Sequence, residues 1–225
     1  MNYTQLFETI KGYVENDFPS TEFTDSAGST GTYTSKEQID TFIDQAEQRI
    51  YNSVQFPHFR KNSTGTTTGG NKYLETPTDF LGAYSLAMID GDGNYEYLLN
   101  KDVNYIRAAY PNPSTTGLPK YYALFDDNTF ILGPTPDAAY TAELHYFYYP
   151  ESIVTASTSW LGDNFDTVLL YGALVEAYTY MKGEADVIAG YNKRYEEAMI
   201  LAKRLGDGIE RRDAYRSGQI RMSVN

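Results

Sequence analysis

The residues most suited to chemistry include a run of acidic and amide side chains in the middle of the chain. Asp90-Gly91-Asp92-Gly93-Asn94 begins like a calcium-binding loop, but such a loop needs Gly at its sixth position and Glu at its twelfth. This chain has Tyr95 and Lys101 there. Because Asp, Gly and Asn also favour tight turns between strands, the run predicts a hairpin turn.

The other candidates for catalysis are two histidines and several neighbouring acids. His58 and His145 lack the spacing of a metal site, and His145 lies in an alternating strand pattern, which predicts a sheet residue. Acid pairs such as Asp126 and Asp127 could act in glycoside hydrolysis, but an acidic chain contains such pairs by chance. The absence of cysteine excludes disulfides, thiol nucleophiles and thiolate metal sites. We predict no enzyme activity, catalytic residue, metal or cofactor, although a Ser-His-Asp site stays open.

Charge is distributed unevenly along the 225 residues. The chain has 30 acidic and 18 basic residues, a net charge of −12, whereas proteins that grip nucleic acid neutralise phosphates with Lys and Arg. From Arg211 onward there are four arginines and one acid, a charge of +3, so the rest of the chain carries −15. The acidic body therefore excludes tight nucleic-acid binding, and the basic end is a separate feature.

Helical periodicity marks both ends of the chain. Apolar spacing predicts a first helix between Tyr3 and Phe18 and a second over about 36–54, the latter opened by the capping box Ser35-Lys36-Glu37-Gln38. Residues 20–34, rich in Ser, Thr and Gly, predict an exposed loop.

Two long helices are predicted after Pro150. Residues 165–182 are apolar nearly all round, so this helix needs cover on more than one side, from its own domain or from another subunit. Glu176 lies on this helix, where a carboxylate is costly unless it is paired or faces a solvated lumen, and we expect a local bond or a partly wet interface. The next helix spans about 187–205, and the glycines at 206 and 208 predict its end.

Between these helical regions the apolar period changes to two, which indicates strands. Strands are predicted at 63–68, 72–75, 84–90, 95–99, 120–125, 128–133 and 141–149, with a short helix near 102–110 and a turn at Asp126-Asp127-Asn128. Twelve of the 22 tyrosines lie from Tyr73 to Tyr149, where a ring with a polar tip suits a contact surface.

These patterns predict an α+β protein in which a helical bundle, with two N-terminal and two long C-terminal helices, carries a β-rich insertion. The predicted bundle comprises residues 1–55 and 151–206, the insertion 56–150, and an extended C-terminal arm 207–225. The charged residues Glu8, Lys11, Glu15 and Asp17 argue against a signal peptide, and residues 165–181 are too short and polar to span a bilayer. We therefore expect no membrane partner.

The order of several short motifs in the second half of the chain carries a resemblance to a known family. They are Pro119-Lys120-Tyr121-Tyr122, Phe130-Ile131-Leu132-Gly133-Pro134-Thr135-Pro136, Leu144-His145-Tyr146-Phe147-Tyr148-Tyr149-Pro150, Trp160-Leu161, the helix 169–177, and the helix containing Tyr191 and Tyr195 with its Arg-bearing tail. In order and spacing, this half resembles the head-to-tail adaptor proteins of tailed bacteriophages, also called connector or head-completion proteins. The N-terminal third lies outside the resemblance.

The resemblance implies a structural virion protein in the neck, at the head-tail interface, assembled in the host cytoplasm. Its partners would be other copies of itself in a ring, usually of twelve, the portal protein, a tail or nozzle protein, and double-stranded DNA passing transiently through the exit channel. In this family the C-terminal extension commonly reaches the portal. The candidate portal-binding residues are Arg211, Arg212, Tyr215, Arg216, Ile220 and Arg221. The candidate residues for helix packing between subunits are Phe165, Val168, Leu169, Tyr171, Tyr178, Tyr191 and Tyr195.

Two alternative functions stay open at this point. The chain could be another neck or tail-terminator subunit, or a module whose Tyr-rich sheet binds carbohydrate or another ligand. For an adaptor ring, twelve copies at −12 each carry a formal charge of −144, but the Debye length of about 8 Å at physiological salt leaves only channel-lining residues to act on DNA. We expect a lumen with more acids than bases, through which the genome slides.

Overall fold

The computed structural model describes residues 1–15, 17–54 and 56–219, with side chains for all of these except residues 57 and 207–219. The chain divides into two compact units, Met1–Pro57 with Pro150–Asn225, and His58–Tyr149. The described residues form seven α-helices, a short 3-10 helix at Pro57–Phe59 and ten strands, so the predicted α+β class is confirmed. The helices are α1 Tyr3–Val14, α2 Ser35–Ser53, α3 Val103–Ala109, α4 Ile153–Ala156, α5 Trp160–Asn164, α6 Asp166–Tyr180 and α7 Ala185–Gln219.

The first two helices begin at side-chain caps. Asn2 and Gln5 form a capping box at α1, and Thr34 and Glu37 form one at α2. The cap of α2 therefore lies one residue before the predicted Ser35 box. Thr34 takes this place because its hydroxyl accepts from the Glu37 amide while the Glu37 carboxylate accepts from the Thr34 amide.

Helix α6 is the centre of the first unit. It contacts α1, α2, α5 and α7, so the cover predicted for a helix apolar all round comes from its own chain. At Gly172 a Cβ atom would lie 3.1 Å from Cβ of Ala46 on α2 and 3.2 Å from Cε2 of Tyr195 on α7. The missing side chain lets both neighbouring helices approach α6 at the same residue.

Helix α7 is longer than predicted. Its backbone continues through Gln219, so the predicted end near residue 205 is wrong, as is the extended arm over residues 207–219. Residues 220–225 lie outside the described part of the chain. Glycine inside a helix costs about 1 kcal/mol relative to Ala, and the Glu, Arg and Ala residues that follow favour helix, so Gly206 and Gly208 do not end it.

The segment predicted as an exposed loop contains a β-hairpin, β1 Thr21–Thr24 and β2 Thr30–Tyr33. Phe23 pairs with Gly31, and the Asp25 carboxylate accepts from the amides of Ala27 and Ser29 in the turn. A Cβ atom at Gly31 would lie 2.6 Å from Cζ of Phe23, so the glycine makes room for the ring. The segment is largely exposed, as expected, but its two Thr-rich strands pair with each other and do not form a loop.

The second unit is a sandwich of two four-stranded sheets. Its strands are β3 Arg60–Thr66, β4 Tyr73–Glu75, β5 Gly82–Ile89, β6 Tyr95–Tyr97, β7 Leu99–Asn100, β8 Tyr121–Asp126, β9 Thr129–Gly133 and β10 Thr141–Phe147. The sheet orders are β3-β10-β5-β6 and β4-β9-β8-β7, and the pairing is antiparallel except between β7 and β8. The shared core is Leu86, Met88, Leu98, Tyr122, Phe130, Leu132, Ala142, Leu144 and Tyr146.

Helix α3 packs on the outer side of the second sheet. Its Ile106 forms a smaller core with Ala123 of β8 and Ile131 of β9. The predicted turn at Asp126-Asp127-Asn128 joins β8 and β9 as expected. Within the ranges described, no helix combines the length and apolar character needed to cross a bilayer.

Candidate interaction surfaces

The candidate portal-binding residues fall at the end of α7 and beyond it. Arg211, Arg212, Tyr215 and Arg216 lie on the helix, where the backbone alone is described, and Ile220 and Arg221 lie outside the described residues. Positions 211 and 215, like 212 and 216, are about one helical turn apart. The role of these residues at the portal stays a prediction, and four of the six lie on α7.

Three of the seven residues assigned to packing between subunits belong to the chain's own core. Val168, Leu169 and Tyr195 are buried, with 2%, 1% and 7% of their surface exposed. Val168 and Leu169 cannot meet a neighbouring subunit in this conformation because α1, α2 and α7 already cover α6, and Tyr195 packs against Gly172 of α6. That part of the expectation is corrected: the apolar surface of α6 is satisfied within one chain.

The other four are half-buried aromatic residues. Phe165 stacks on Phe56 with ring centres 5.5 Å apart. The remaining three belong to what we term the tyrosine cluster, formed by Tyr13, Tyr171, Tyr178 and Tyr191 of α1, α6 and α7.

Contacts within the tyrosine cluster tie the three helices together. The rings of Tyr178 and Tyr191 lie 5.0 Å apart, and the Tyr178 hydroxyl donates to the Tyr13 carbonyl at 3.0 Å. Arg194 donates to the Tyr171 hydroxyl at 2.8 Å. Burial, helped by the hydrogen bond with Tyr178, raises the pKa of Tyr191 to about 12, so the Tyr191 phenol stays neutral at physiological pH.

Helix α7 carries an exposed apolar surface that its apolar periodicity did not predict. Ile200, Leu201 and Leu205 are 49%, 63% and 48% exposed. We call these three residues the α7 apolar surface. Ile200 and Leu201 lie outside the stripe of Tyr195, Met199 and Ala202 that packs inward, and apolar residues off a buried stripe are the signal that identifies them.

A groove of about 330 Å³ adjoins the α7 apolar surface. It is lined by Arg49, Ser53, Tyr195, Glu196, Met199, Ile200 and Lys203. Beside it, Arg49 of α2 forms an ion pair with Glu176 of α6, which confirms the expected local partner for this acid. The Arg49 guanidinium carbon also lies 5.8 Å from the centre of the Tyr195 ring.

The outer face of the first sheet of the sandwich is rich in exposed tyrosine. Tyr84, Tyr95 and Tyr97, which we call the tyrosine face, are each about half exposed or more. The Arg60 guanidinium carbon lies 4.2 Å from the centre of the Tyr84 ring, and the His145 ring is 5.0 Å from the same ring. His145 is thus the sheet residue expected, and the face combines the Tyr and Arg side chains typical of protein contacts.

The acidic run of the β5–β6 turn makes no metal site. The Asp90 carboxylate accepts from the amides of Asp92 and Asn94 at 2.9 and 2.8 Å, which is the predicted hairpin turn. Hydrogen bonds, those from Asn94 first, lower the pKa of Asp90. In the portion of the chain that the structure describes, no group of three or more His, Asp and Glu residues is placed to hold a metal ion.

A buried carboxylate joins α2 to the start of α4. Glu47 is 1% exposed and accepts from the Ile153 amide at 3.1 Å, while Asp44 accepts from the Ser152 hydroxyl at 2.6 Å. Burial raises the pKa of Glu47 although the bonds from Ser152 and Ile153 oppose this. The sequence signal is that Glu47 falls four residues after Ile43, on the buried stripe of α2.

We expect Glu47→Gln to flatten the pH dependence of stability. The pKa of Glu47 is higher in the folded protein than its ordinary value of 4.5, so the folded state binds more protons between these values. The free energy of unfolding therefore falls as pH rises through this window. Gln keeps an acceptor for Ile153 and never ionises, so the variant should have the higher Tm at neutral pH.

Thermal unfolding followed by circular dichroism at about pH 4 and 7 measures this slope. Glu197→Gln removes the same charge from an exposed position on α7 and should retain the wild-type slope. A Glu47→Gln protein whose Tm changes with pH as the control does would contradict a raised pKa.

Comparison with known proteins identifies the family. A search of curated proteins found no match. The family model of the SU10 adaptor protein matches residues 1–222, including the N-terminal third that the resemblance had left unassigned. This match confirms the resemblance to phage head-to-tail adaptors and extends it over the two units described above: the chain belongs to the SU10 adaptor protein family.

Proposed function

We propose that this protein is a head-to-tail adaptor that assembles as a ring of twelve copies between the portal and the tail and lines the DNA exit channel. Family membership supports a virion component that contacts other head and tail proteins. The structural observation that carries the ring is the α7 apolar surface, since Ile200, Leu201 and Leu205 remain exposed after the helices have packed. Such a surface on a soluble protein marks an interaction site.

The two units then have different tasks. The helical unit forms the contacts between neighbouring subunits through the α7 apolar surface and through the tyrosine cluster. The C-terminal part of α7, with Arg211, Arg212 and Arg216, contacts the portal. The sandwich presents the tyrosine face to the tail, because exposed Tyr and Arg side chains are the groups that dominate protein interfaces.

The acidic composition suits passage of DNA without adhesion. Lys and Arg hold phosphates, and the chain has 30 acids against 18 bases. Only the residues within about one Debye length, roughly 8 Å, of the duplex act on it. We propose a lumen with more acids than bases, and a ring structure with a continuous Lys- and Arg-lined bore would contradict this.

Mass photometry of the purified protein, alone and with the portal of the same phage, tests the assembly. We expect a high-order species in which Leu201→Glu lowers the ring population at least about tenfold, since it places a charge in an apolar contact. Leu81→Glu, at a similarly exposed leucine of the other unit, is the matched control. A protein that stays monomeric and ignores the portal would contradict the proposal and favour a ligand-binding module, whereas assembly with tail components alone would favour a tail-terminator subunit.

A further inference from the structure

The sandwich of His58–Tyr149 is open along one side. Among the described residues, β3 pairs only with β10 and β4 only with β9, so both are edge strands of their sheets. A cleft of about 290 Å³ lies between these strands, and its floor includes the buried side chains of Leu86, Phe130 and Leu144. A free strand edge beside an apolar floor is the arrangement to which proteins add an extended segment of another chain.

The cleft lies where two small residues occupy the inner side of β3. Ser63 pairs with Leu144 and Gly65 with Ala142, so these two small residues face the core. Their small side chains leave the cleft open above Leu144 and Phe130. At the other rim the Thr76 hydroxyl oxygen is buried without a hydrogen-bond partner among the described residues. The site therefore lacks one large apolar side chain and one polar partner.

The β1–β2 hairpin of the other unit has the opposite deficiency. All four residues of β1 are exposed, and Phe23 has 52% of its surface open to solvent. β1 and β2 form a sheet of two strands, which is marginally stable in water without a third strand or a packing surface. The hairpin thus offers an exposed aromatic side chain, and the cleft offers an apolar floor beside a free strand edge.

Charge favours β3 as the strand that the hairpin joins. The hairpin residues 21–33 contain Glu22 and Asp25 and no base, whereas β3 contains Arg60 and Lys61 and no acid. Asp79 pairs with Lys61 at 2.8 Å and offsets one of these charges. The β4 rim carries Glu75, which would repel the hairpin. We therefore place the added strand along β3.

We propose that the β1–β2 hairpin of one copy adds to β3 of a neighbouring copy and inserts Phe23 into the cleft over Leu144 and Phe130. The inference rests on the proposed function in that it requires a second copy. It adds a contact between subunits that is separate from the α7 apolar surface.

The absence of cysteine allows a direct test by cross-linking. Singly substituted Thr24→Cys and Thr66→Cys proteins are mixed in equal amounts, allowed to assemble, and treated with a short bismaleimide. We expect a covalent dimer from this mixture and none from a matched mixture of Thr24→Cys with Asp92→Cys, which lies in the β5–β6 turn. A Thr24→Cys/Thr66→Cys double variant that cross-links within one chain, with no dimer from the mixture, would overturn the inference.

Mass photometry of the same samples separates this inference from the proposed function. Rings without the cross-link overturn the hairpin contact and leave the adaptor ring intact. A cross-linked dimer without rings supports the contact and counts against the ring. Neither rings nor cross-link overturns both.

Two variants test the role of Phe23 in its cleft. Phe23→Ala in the Thr24→Cys background should lower the cross-linked fraction at least about tenfold, as for a buried aromatic anchor. Phe125→Ala, at another partly exposed phenylalanine, should leave it unchanged. Ser63→Phe in the Thr66→Cys background fills the cleft from within and should block the contact while thermal unfolding shows that the sandwich stays folded. An unchanged yield with both Phe23→Ala and Ser63→Phe would overturn the insertion.

Discussion

Gly172→Leu is expected to destabilise the helical unit by at least about 3 kcal/mol, the largest effect of any single substitution that we predict. A Cβ atom alone would lie 3.1 Å from Ala46 and 3.2 Å from Tyr195, so a leucine must push α2 and α7 away from α6. Both neighbours belong to the core, with Ala46 fully buried. Urea unfolding followed by circular dichroism measures the loss, and assembly should fail with the fold.

A second glycine of the same unit provides the control. Gly190 lies inside α7 with open space around the position of a Cβ atom. Gly190→Ala should therefore stabilise the protein by about 1 kcal/mol through helix propensity alone. If Gly172→Leu unfolded at the wild-type urea concentration, α6 would not be enclosed by α2 and α7 as described.

Local sequence signals predicted most strands and all the described helices except the short α4 and α5, because these elements depend on residues near one another in the chain. The apolar spacing of Ile39, Phe42, Ile43 and Ala46 marks α2 and its buried side. The prediction that α7 ends near residue 205 was wrong for a related reason. Glycine favours the end of a helix, but the helix-forming residues after Gly208 outweigh this preference.

The residues that cover α6, and the pairing of the strands, could not be predicted in this way. A helix apolar all round needs cover but does not specify whether its own chain or a neighbour provides it, so the sequence alone does not separate Val168 and Leu169 from residues of a subunit contact. The pairing of β3 with β10 joins residues about 80 positions apart, such as Thr64 and Glu143, and alternation alone does not encode it. The position of Glu47 on the buried stripe of α2 indicates its burial, but its partner, the Ile153 amide, lies far along the chain and is not predicted.

The largest expected effect on function comes from the C-terminal part of α7. Arg211→Gln/Arg212→Gln/Arg216→Gln should weaken loading onto the portal at least about 30-fold, as for the loss of an interface hot spot of about 2 kcal/mol. Gln keeps helix propensity close to that of Arg, so the substitution removes charge and bidentate hydrogen bonding and leaves the helix intact. Titration of the portal by mass photometry gives the affinity.

Matched controls separate a specific contact from general electrostatics. Lys193→Gln/Lys203→Gln/Arg204→Gln also removes three positive charges from exposed positions of α7, outside the candidate segment, and should leave loading within about threefold of wild type. A chain ending at Gly208 should lose loading as the first triple variant does, because it lacks all the candidate residues. If that shortened chain bound the portal with unchanged affinity, the contact would have to lie elsewhere, and the +3 charge that sets this segment apart from an acidic body would need a different partner. Equal losses of portal binding in the two triple variants would instead show attraction by net charge. Raised salt would then abolish the binding that depends on this attraction, because salt screens exposed charges. Bidentate arginine contacts at a partly desolvated interface, in contrast, persist at the same salt concentration.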